Sequence, residues 1–263
     1  MRRLDRTISM RNKVETRLKK CKKGGKTAIF LLVDSENFSS TSSVEKMAKE
    51  LFNATKNMKD FYPVILVGGS SATDQMGMDR AVRILRRRTK LDIVLFPGNI
   101  TGVVPKAHAI LFTSLMNSEN PYYITQPQAL GAPLVRKMKL EALPTAYLII
   151  GEGTSAWFFG NARGIPFDKP KIAAAYAMAA QYMGMRFVYL EAGSGAKQKV
   201  TPEMVQTERA VFDGFIMVGG GIRSAKTASS LIKAGADGLV VGTLLEQTGG
   251  LKKFTEMVKS IGK

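Results

Sequence analysis

Histidine and cysteine each occur once in these 263 residues. A lone His108 supplies no histidine-based triad, no HExxH zinc site and no two-histidine metal site. It opens the apolar run His108-Ala-Ile-Leu-Phe112, where a structural role is expected. Cys21 has no partner, so an internal disulfide and a cysteine-rich metal site are both excluded. Long hydrophobic runs are missing too, since no apolar stretch reaches the roughly 20 residues of a membrane span. Nor does a charged-then-apolar leader open the chain, so a soluble cytoplasmic protein is expected.

Acidic residues are scarce beside basic ones, 21 against 39, for a net charge of +18. The excess is concentrated in residues 1–26 and 79–90. In the second segment Met78, Ala81, Val82 and Leu85 form a helical core stripe that turns Arg80, Arg83 and Arg87 outward. The first reads as a basic amphipathic helix, with Met10, Val14 and Leu18 at fourfold spacing among Arg11, Lys13, Arg17, Lys19 and Lys20. Docking on the body of the protein is the favoured reading, ahead of contact with anionic lipid or plain solvation. A nucleic-acid partner is not expected, because no aromatic RNP-type strand, zinc-finger spacing or basic zipper accompanies the charge. An organelle-targeting arm fits poorly with Asp5, Glu15 and the few serines at the start.

What the chain does contain is a regular alternation. Apolar strand-like runs recur at Thr27 to Val33, Val64 to Val67, Asp92 to Phe96, His108 to Phe112, Thr145 to Ile150, Phe187 to Leu190, Phe215 to Val218 and Gly238 to Val241. Helical patterns separate most of them, which points to a parallel sheet. Ser42 with Glu45 reads as a capping box and Thr201-Pro202 as an N-cap followed by an N1 proline, while Gly184 and Gly235 fit helix ends. The expected fold is an α/β (β/α)8 TIM barrel over residues 26–263, preceded by a basic helical extension over 1–25; a doubly wound open sheet is the runner-up.

One connection breaks the pattern. Only Pro97 to Ala107 separates the third strand from the fourth, and it holds Gly98, Gly102 and Pro105. A full helix hardly fits, so an irregular segment should replace the third barrel helix. The gap would either open an apolar slot for a long substrate or be filled by a short turn of no functional consequence. The loop Gly151 to Lys169 carries Trp157, Phe158, Phe159 and Phe167, which suit a lid and packing beneath the loop equally well.

Three strands in the last third run straight into small-residue turns: Tyr189-Leu-Glu-Ala-Gly-Ser-Gly195, Val218-Gly-Gly-Gly-Ile-Arg-Ser224 and Val240-Val-Gly-Thr243. Glycine lets main-chain N–H groups approach an anion, and Ser224 is suited to cap a following helix. Three such turns in succession favour a phosphate site over three unrelated tight turns. Glu191 places a carboxylate in the same mouth, as an internal base or as a salt-bridged structural group, with the base favoured. Other motifs fail on spacing: Gly25-Lys26-Thr27 lacks the upstream glycine of a P-loop, and Gly193-Ser-Gly195 is followed by Gln198 where a dinucleotide fingerprint needs glycine.

At these residues the chain resembles the geranylgeranylglyceryl phosphate synthase family, with which heptaprenyl-using bacterial enzymes share a fold. The matching stretches are Tyr189 to Gly195, Gly219 to Ile222, Gly242-Thr243, Val67-Gly-Gly-Ser70, Phe96-Pro-Gly-Asn99, Asn120-Pro-Tyr-Tyr123 and Gln128-Ala-Leu-Gly-Ala-Pro133. The resemblance implies transfer of a prenyl group from geranylgeranyl diphosphate to the C3 hydroxyl of sn-glycerol 1-phosphate, with Mg²⁺ on Asp34 and Ser70. It assigns Glu191 to catalysis, and glycerol phosphate binding to Tyr189, Leu190, Glu191, Ala192, Gly193, Ser194, Gly195, Gly220, Gly221, Gly242 and Thr243. It implies a groove for the prenyl tail where the third helix is missing, a homo-oligomer, and an ether-lipid product that would bring the protein to a membrane surface. After Asp34 the family pattern runs proline, an acidic residue and often lysine, whereas this chain has Ser35, Glu36 and Asn37. A looser loop and one fewer cation near a diphosphate follow. The competing readings are a prenyl donor of another length such as heptaprenyl, a sugar-phosphate isomerase or lyase, and a non-catalytic basic protein that binds polyanions.

Overall fold

The computed structural model describes residues 13–34, 40–69 and 75–261. Eight parallel strands, β1 (Thr27–Asp34), β2 (Phe61–Gly69), β3 (Asp92–Pro97), β4 (Ala109–Leu115), β5 (Glu141–Ile149), β6 (Phe187–Glu191), β7 (Phe215–Gly219) and β8 (Gly238–Val241), neighbour one another in chain order. The sheet closes through Ala28 to Leu31 of β1 against Gly238 to Val241 of β8, which makes it a (β/α)8 barrel and rules out the open sheet.

Strand periodicity explains both layers of the core. Ala28 and Phe30 point into the barrel with Val64, Leu66, Phe187 and Phe215. Ile29, Leu31 and Val33 face the helices. The same parity carries Asp34 and Glu191 inward at the carboxyl ends of their strands. Register then sets Asp34 level with Gly68 and Phe96, and Glu191 level with Ile149 and Gly219.

The opposite end is plugged by helix α1 (Lys13–Lys23), whose Val14 and Leu18 join the interior cluster. Its first turn is capped by a buried carboxylate: the N–H groups of Val14 and Glu15 donate to Glu141 Oε2 and Oε1 at 2.8 and 3.0 Å. Burial alone would raise the Glu15 carboxyl, but Arg186 at 2.7 Å and Lys19 at 2.7 Å hold it below its ordinary range. Docking is therefore the fate of residues 13–23, while Met10 and the rest of residues 1–12 lie outside the described residues.

Helix α2 (Thr41–Thr55) corrects one expectation. Ser40, not Ser42, is its N-cap, with Ser43 completing the reciprocal pair, and Glu45 instead meets Arg87 and Arg88 at 3.2 and 3.0 Å. Helix α3 (Gln75–Thr89) buries Met78, Ala81, Val82 and Leu85 and exposes Arg80, Arg83 and Arg87, as its stripe predicts. His108 precedes β4, and its Nδ1 accepts the Ile93 N–H at 2.9 Å, a structural role. Burial holds that imidazole below its ordinary pKa.

After β3 the chain forms only a 3₁₀ turn, Ile100–Gly102, capped by Asn99. β3 and β4 pair only at Val94 with Ala109 and Leu95 with Ile110, so the two strands part toward the mouth. Helix α4 (Pro121–Lys137) follows β4, with the Asn120 side chain accepting the Tyr122 N–H at 3.0 Å. The remaining helices are α5 (Ser155–Phe159), α6 (Pro170–Tyr182), α7 (Pro202–Arg209), α8 (Ala225–Lys233), α9 (Thr243–Glu246) and α10 (Gly250–Lys259). Thr201 caps α7 and Ser224 caps α8, while Gly184 and Gly235 sit at φ values of 78° and 111° beyond the helices they end.

Helix α7 also buries Glu208, which is 0 % exposed and has no hydrogen-bond partner on either carboxylate oxygen. Burial pushes this carboxyl up to about 8, against the opposing charge of Arg209. Since the unfolded group titrates near about 4.3, the folded state holds the proton through the window between the two values, and stability falls as pH rises across it. Glu208→Gln is expected to raise the melting temperature near about pH 9, with the gain shrinking toward about pH 5. Thermal melts across that range check it; equal gains at both ends contradict a neutral buried acid.

Candidate active site

A cavity of about 700 Å³ opens at the mouth of the barrel. Its floor is aromatic. The Tyr147 and Tyr189 ring centroids are 5.1 Å apart, and Phe96 stands edge-on to Tyr147 at 5.4 Å and tilted over Tyr189 at 5.6 Å. Tyr147 has no role in the reading from sequence alone. The signal for it was the inward parity of β5, where Tyr147 pairs with Tyr189 of β6.

Glu191 rises from this floor, 8 % exposed. Tyr189 Oη donates to its Oε2, and the Gly193 N–H donates to its Oε1 at 2.6 Å. Burial raises the Glu191 carboxyl above its ordinary range, while these two donors pull it back. Burial and the neighbouring Glu191 charge push both the Tyr189 and Tyr147 hydroxyls well above their ordinary range, so Tyr189 stays a neutral donor. Two glycines make room for the arrangement. A Cβ on Gly219 would lie 2.5 Å from both Glu191 Oε2 and Tyr189 Oη, and one on Gly193, at φ 95°, would lie 2.4 Å from Thr154.

Around the carboxylate the three small-residue turns converge. Ser194, Gly220, Gly221, Gly242 and Thr243 line the same cavity as Tyr189, Glu191 and Gly193. Ser194 Oγ and Thr243 Oγ1 lie 2.9 Å apart, tying the turn after β6 to the one after β8. Leu190 and Ala192 turn their side chains into the outer core, and Gly195 does not line the cavity. Arg223, exposed on the rim directly after the second glycine turn, is a cation that the sequence reading gave no role.

Asp34 lines the cavity at the end of β1, partly buried, and Ser70 lies outside the described residues. Among the described residues no group of three or more His, Cys, Asp or Glu could hold a metal ion. One carboxylate facing the cavity suits a hard cation that draws its remaining ligands from substrate phosphates and water.

From the mouth the cavity continues between β3 and β4 into the helix layer. Its wall there is Ile100, Val103, Gly131 and Val135, together with Ile110 and Phe112, which face outward on β4. In a regular barrel the third helix would cover those two side chains; here they line an apolar groove. The loop before α6 divides its aromatics: Phe167 packs over Gly151, whereas Phe158 and Phe159 are 69 % and 67 % exposed and Phe159 borders the groove.

Comparison with known proteins agrees with this architecture. The PcrB family matches residues 40–261. Geranylgeranylglyceryl phosphate synthase of Nitrosopumilus maritimus (strain SCM1) is 61 % identical over 250 residues, covering 95 % of this chain and 97 % of the relative. That of Cenarchaeum symbiosum (strain A) is 55 % identical over 249 residues, covering 95 % and 98 %. The crystal structure of (S)-3-O-geranylgeranylglyceryl phosphate synthase from Thermoplasma acidophilum, in complex with its substrate sn-glycerol-1-phosphate, superposes with a TM-score of 0.85 at 36 % identity, covering 94 % of this chain and 98 % of that one. Orotidine 5'-phosphate decarboxylase from Pyrococcus horikoshii OT3, at a TM-score of 0.56 and 15 % identity, shares the fold alone. With the family matched over residues 40–261, the barrel superposing and this level of identity, the chain belongs to the PcrB family, among the geranylgeranylglyceryl phosphate synthases.

Proposed function

We propose that this protein transfers a geranylgeranyl group from geranylgeranyl diphosphate to the C3 hydroxyl of sn-glycerol 1-phosphate, forming an ether in a Mg²⁺-dependent reaction. The observation that carries the reading is the continuity of one cavity from a buried carboxylate among glycine turns to an apolar groove. A sugar-phosphate isomerase has no use for such a groove.

The turns after β6, β7 and β8 take the glycerol phosphate, with Arg223 as a cation on the rim. Its C3 hydroxyl then lies against Glu191. As the bond from the C3 oxygen to C1 of the prenyl group forms and the bond from C1 to the diphosphate oxygen breaks, Glu191 takes the hydroxyl proton. Tyr189 Oη and the Gly193 N–H each occupy one acceptor site on the carboxylate, which leaves further lone pairs for the substrate. The faces of Phe96, Tyr147 and Tyr189 offer negative quadrupole density to the allylic carbon as it gains positive charge. Asp34, with Ser70, is the side-chain set assigned to Mg²⁺, whose charge would neutralise the departing diphosphate. The groove beside Ile110, Phe112 and Val135 excludes water from the tail and holds it in line.

Ether formation is to be followed by mass spectrometry with Mg²⁺ and with EDTA. Wild type should lose activity in EDTA, and Glu191→Gln should lower kcat by about 10²–10⁴-fold. Unchanged turnover in the variant sinks the base assignment, and unchanged turnover in EDTA sinks the metal. The base must be deprotonated, so kcat/KM should fall as pH drops through the raised Glu191 pKa. Tyr189→Phe removes a donor that lowers that pKa, so the acid limb should move to higher pH; a limb that stays in place contradicts the Tyr189 contact.

Gly219→Ala is a second test. The added Cβ displaces Glu191 and Tyr189 together, and activity should fall by about 100-fold with the circular dichroism spectrum retained. Full activity in this variant would show that the carboxylate need not sit where it does.

A further inference from the structure

We propose that Gln128 is the positioning residue that sets the width of the apolar groove, by fastening the mouth half of α4 to β4 where the helix's own ladder is broken. This rests on the reading that the groove receives a prenyl chain, and it names the side chain that holds the groove in shape. Helix α4 follows the carboxyl end of β4 and so starts at the mouth. Tyr123, Pro127, Gly131 and Val135 recur every four residues along it, which puts all four on the face that lines the groove. Across the groove lies the 3₁₀ turn: a Cβ on Gly131 would reach 3.9 Å from Ile100 Cγ2. A small shift of α4 toward that turn would close the space.

Two of these four residues weaken the helix they belong to. Pro127 has no N–H, so the Tyr123 carbonyl four residues earlier loses its ladder donor. Gly131 gives up helix propensity in exchange for width. A wall built this way needs a tie from outside the helix, and Gln128 supplies it. Its Nε2 donates to the Thr113 carbonyl of β4 and, at 3.4 Å, to the Tyr123 carbonyl that Pro127 leaves open. Thr113 lies beyond Ile110, the last residue of β4 paired with β3, so the tie falls where the strand has lost its neighbour on that side. Ser114, the next residue of β4, donates from Oγ to the Ile124 carbonyl at 2.8 Å, so strand and helix are joined in both directions within one helical turn. The Gln128 Oε1 oxygen is buried and has no partner among the described residues. An orphaned acceptor opposes folding, so it is the donor end of this amide that fixes the residue in place.

The experiment is equilibrium binding of geranyl and geranylgeranyl diphosphate to the full chain with Mg²⁺ and no acceptor, read as the ratio of the two affinities so that the diphosphate contribution cancels. Wild type should favour the twenty-carbon chain by at least about 100-fold. Gln128→Met keeps the side-chain length and removes the donor, so the ratio should fall by about tenfold. Binding of sn-glycerol 1-phosphate, among the glycine turns at the polar end of the cavity, should be the same in that variant as in wild type. Gln128→Lys returns a donor and should recover part of the lost ratio. Ser114→Ala removes the second tie at a residue that does not line the cavity, and should lower the ratio by about threefold. An unchanged ratio in Gln128→Met overturns the proposal. So does an equal loss of both donors and of glycerol phosphate, which would make the glutamine a general stabiliser of the fold. If Gln128→Met does not fold, an unchanged ratio in Ser114→Ala overturns it instead. Wild type that binds the two donors equally would mean that the groove takes no prenyl tail; the proposed function then fails at that point, and the role of Gln128 fails with it.

Discussion

Everything at the mouth of this barrel is arranged around a carboxylate that has been taken out of water. Glu191 is raised by burial, and among the described residues two donors, Tyr189 Oη and the Gly193 N–H, offset that cost. Each donor imposes a condition on the chain. Tyr189 must stand inside the barrel, which ties it to the inward parity of β6 and to its neighbours Tyr147 and Phe96. The Gly193 N–H must fold back on its own strand end, which needs a positive φ and leaves no space for a Cβ beside Thr154. Gly219 must be bare because both partners crowd the place where its side chain would be. The glycines at the ends of β6 and β7 thus serve the carboxylate at least as directly as they serve an anion.

The second constraint is the omission of a helix. A parallel barrel normally hides the outward face of every strand, and six of the seven connections between successive strands contain an α-helix. Between β3 and β4 the connection is short, pairing stops after Leu95 and Ile110, and a 3₁₀ turn stands in for the helix. The cavity therefore reaches from the inside of the barrel to its outer layer, so that one space is polar at Glu191 and apolar at Ile110 and Val135. A substrate pair made of a small polar acceptor and a long apolar donor matches that division.

Much of this was legible in the sequence because it depends on local rules. Their places at the ends of apolar strands put Glu191 and Asp34 at the mouth, the length of Pro97 to Ala107 left little room for a helix, and Thr201, Ser224, Gly184 and Gly235 punctuated helices by their own chemistry. What stayed hidden depends on competition or on register. Residues 39–43 are all serine or threonine, so several hydroxyls compete for one cap, and Ser40 takes it. Tyr147 matters through its pairing with Tyr189 of a strand about forty residues away, a relation that needs the closed sheet. The same holds for the plug at the far end, where Glu141 and Arg186 meet helix α1. The aromatic loop gave no sign of which ring packs and which is exposed, because that depends on the space above Gly151.

The central claim is that the place of the missing helix is where the prenyl tail lies. It is tested most directly by kcat/KM for donors of ten, fifteen and twenty carbons with sn-glycerol 1-phosphate at fixed Mg²⁺. Burying each methylene in the groove is worth about 0.8 kcal/mol, so kcat/KM should climb at least about tenfold with each added isoprene unit up to the twenty-carbon donor. The same value for all three donors would mean that the tail lies in water and that the groove beside Ile110 and Phe112 has another purpose.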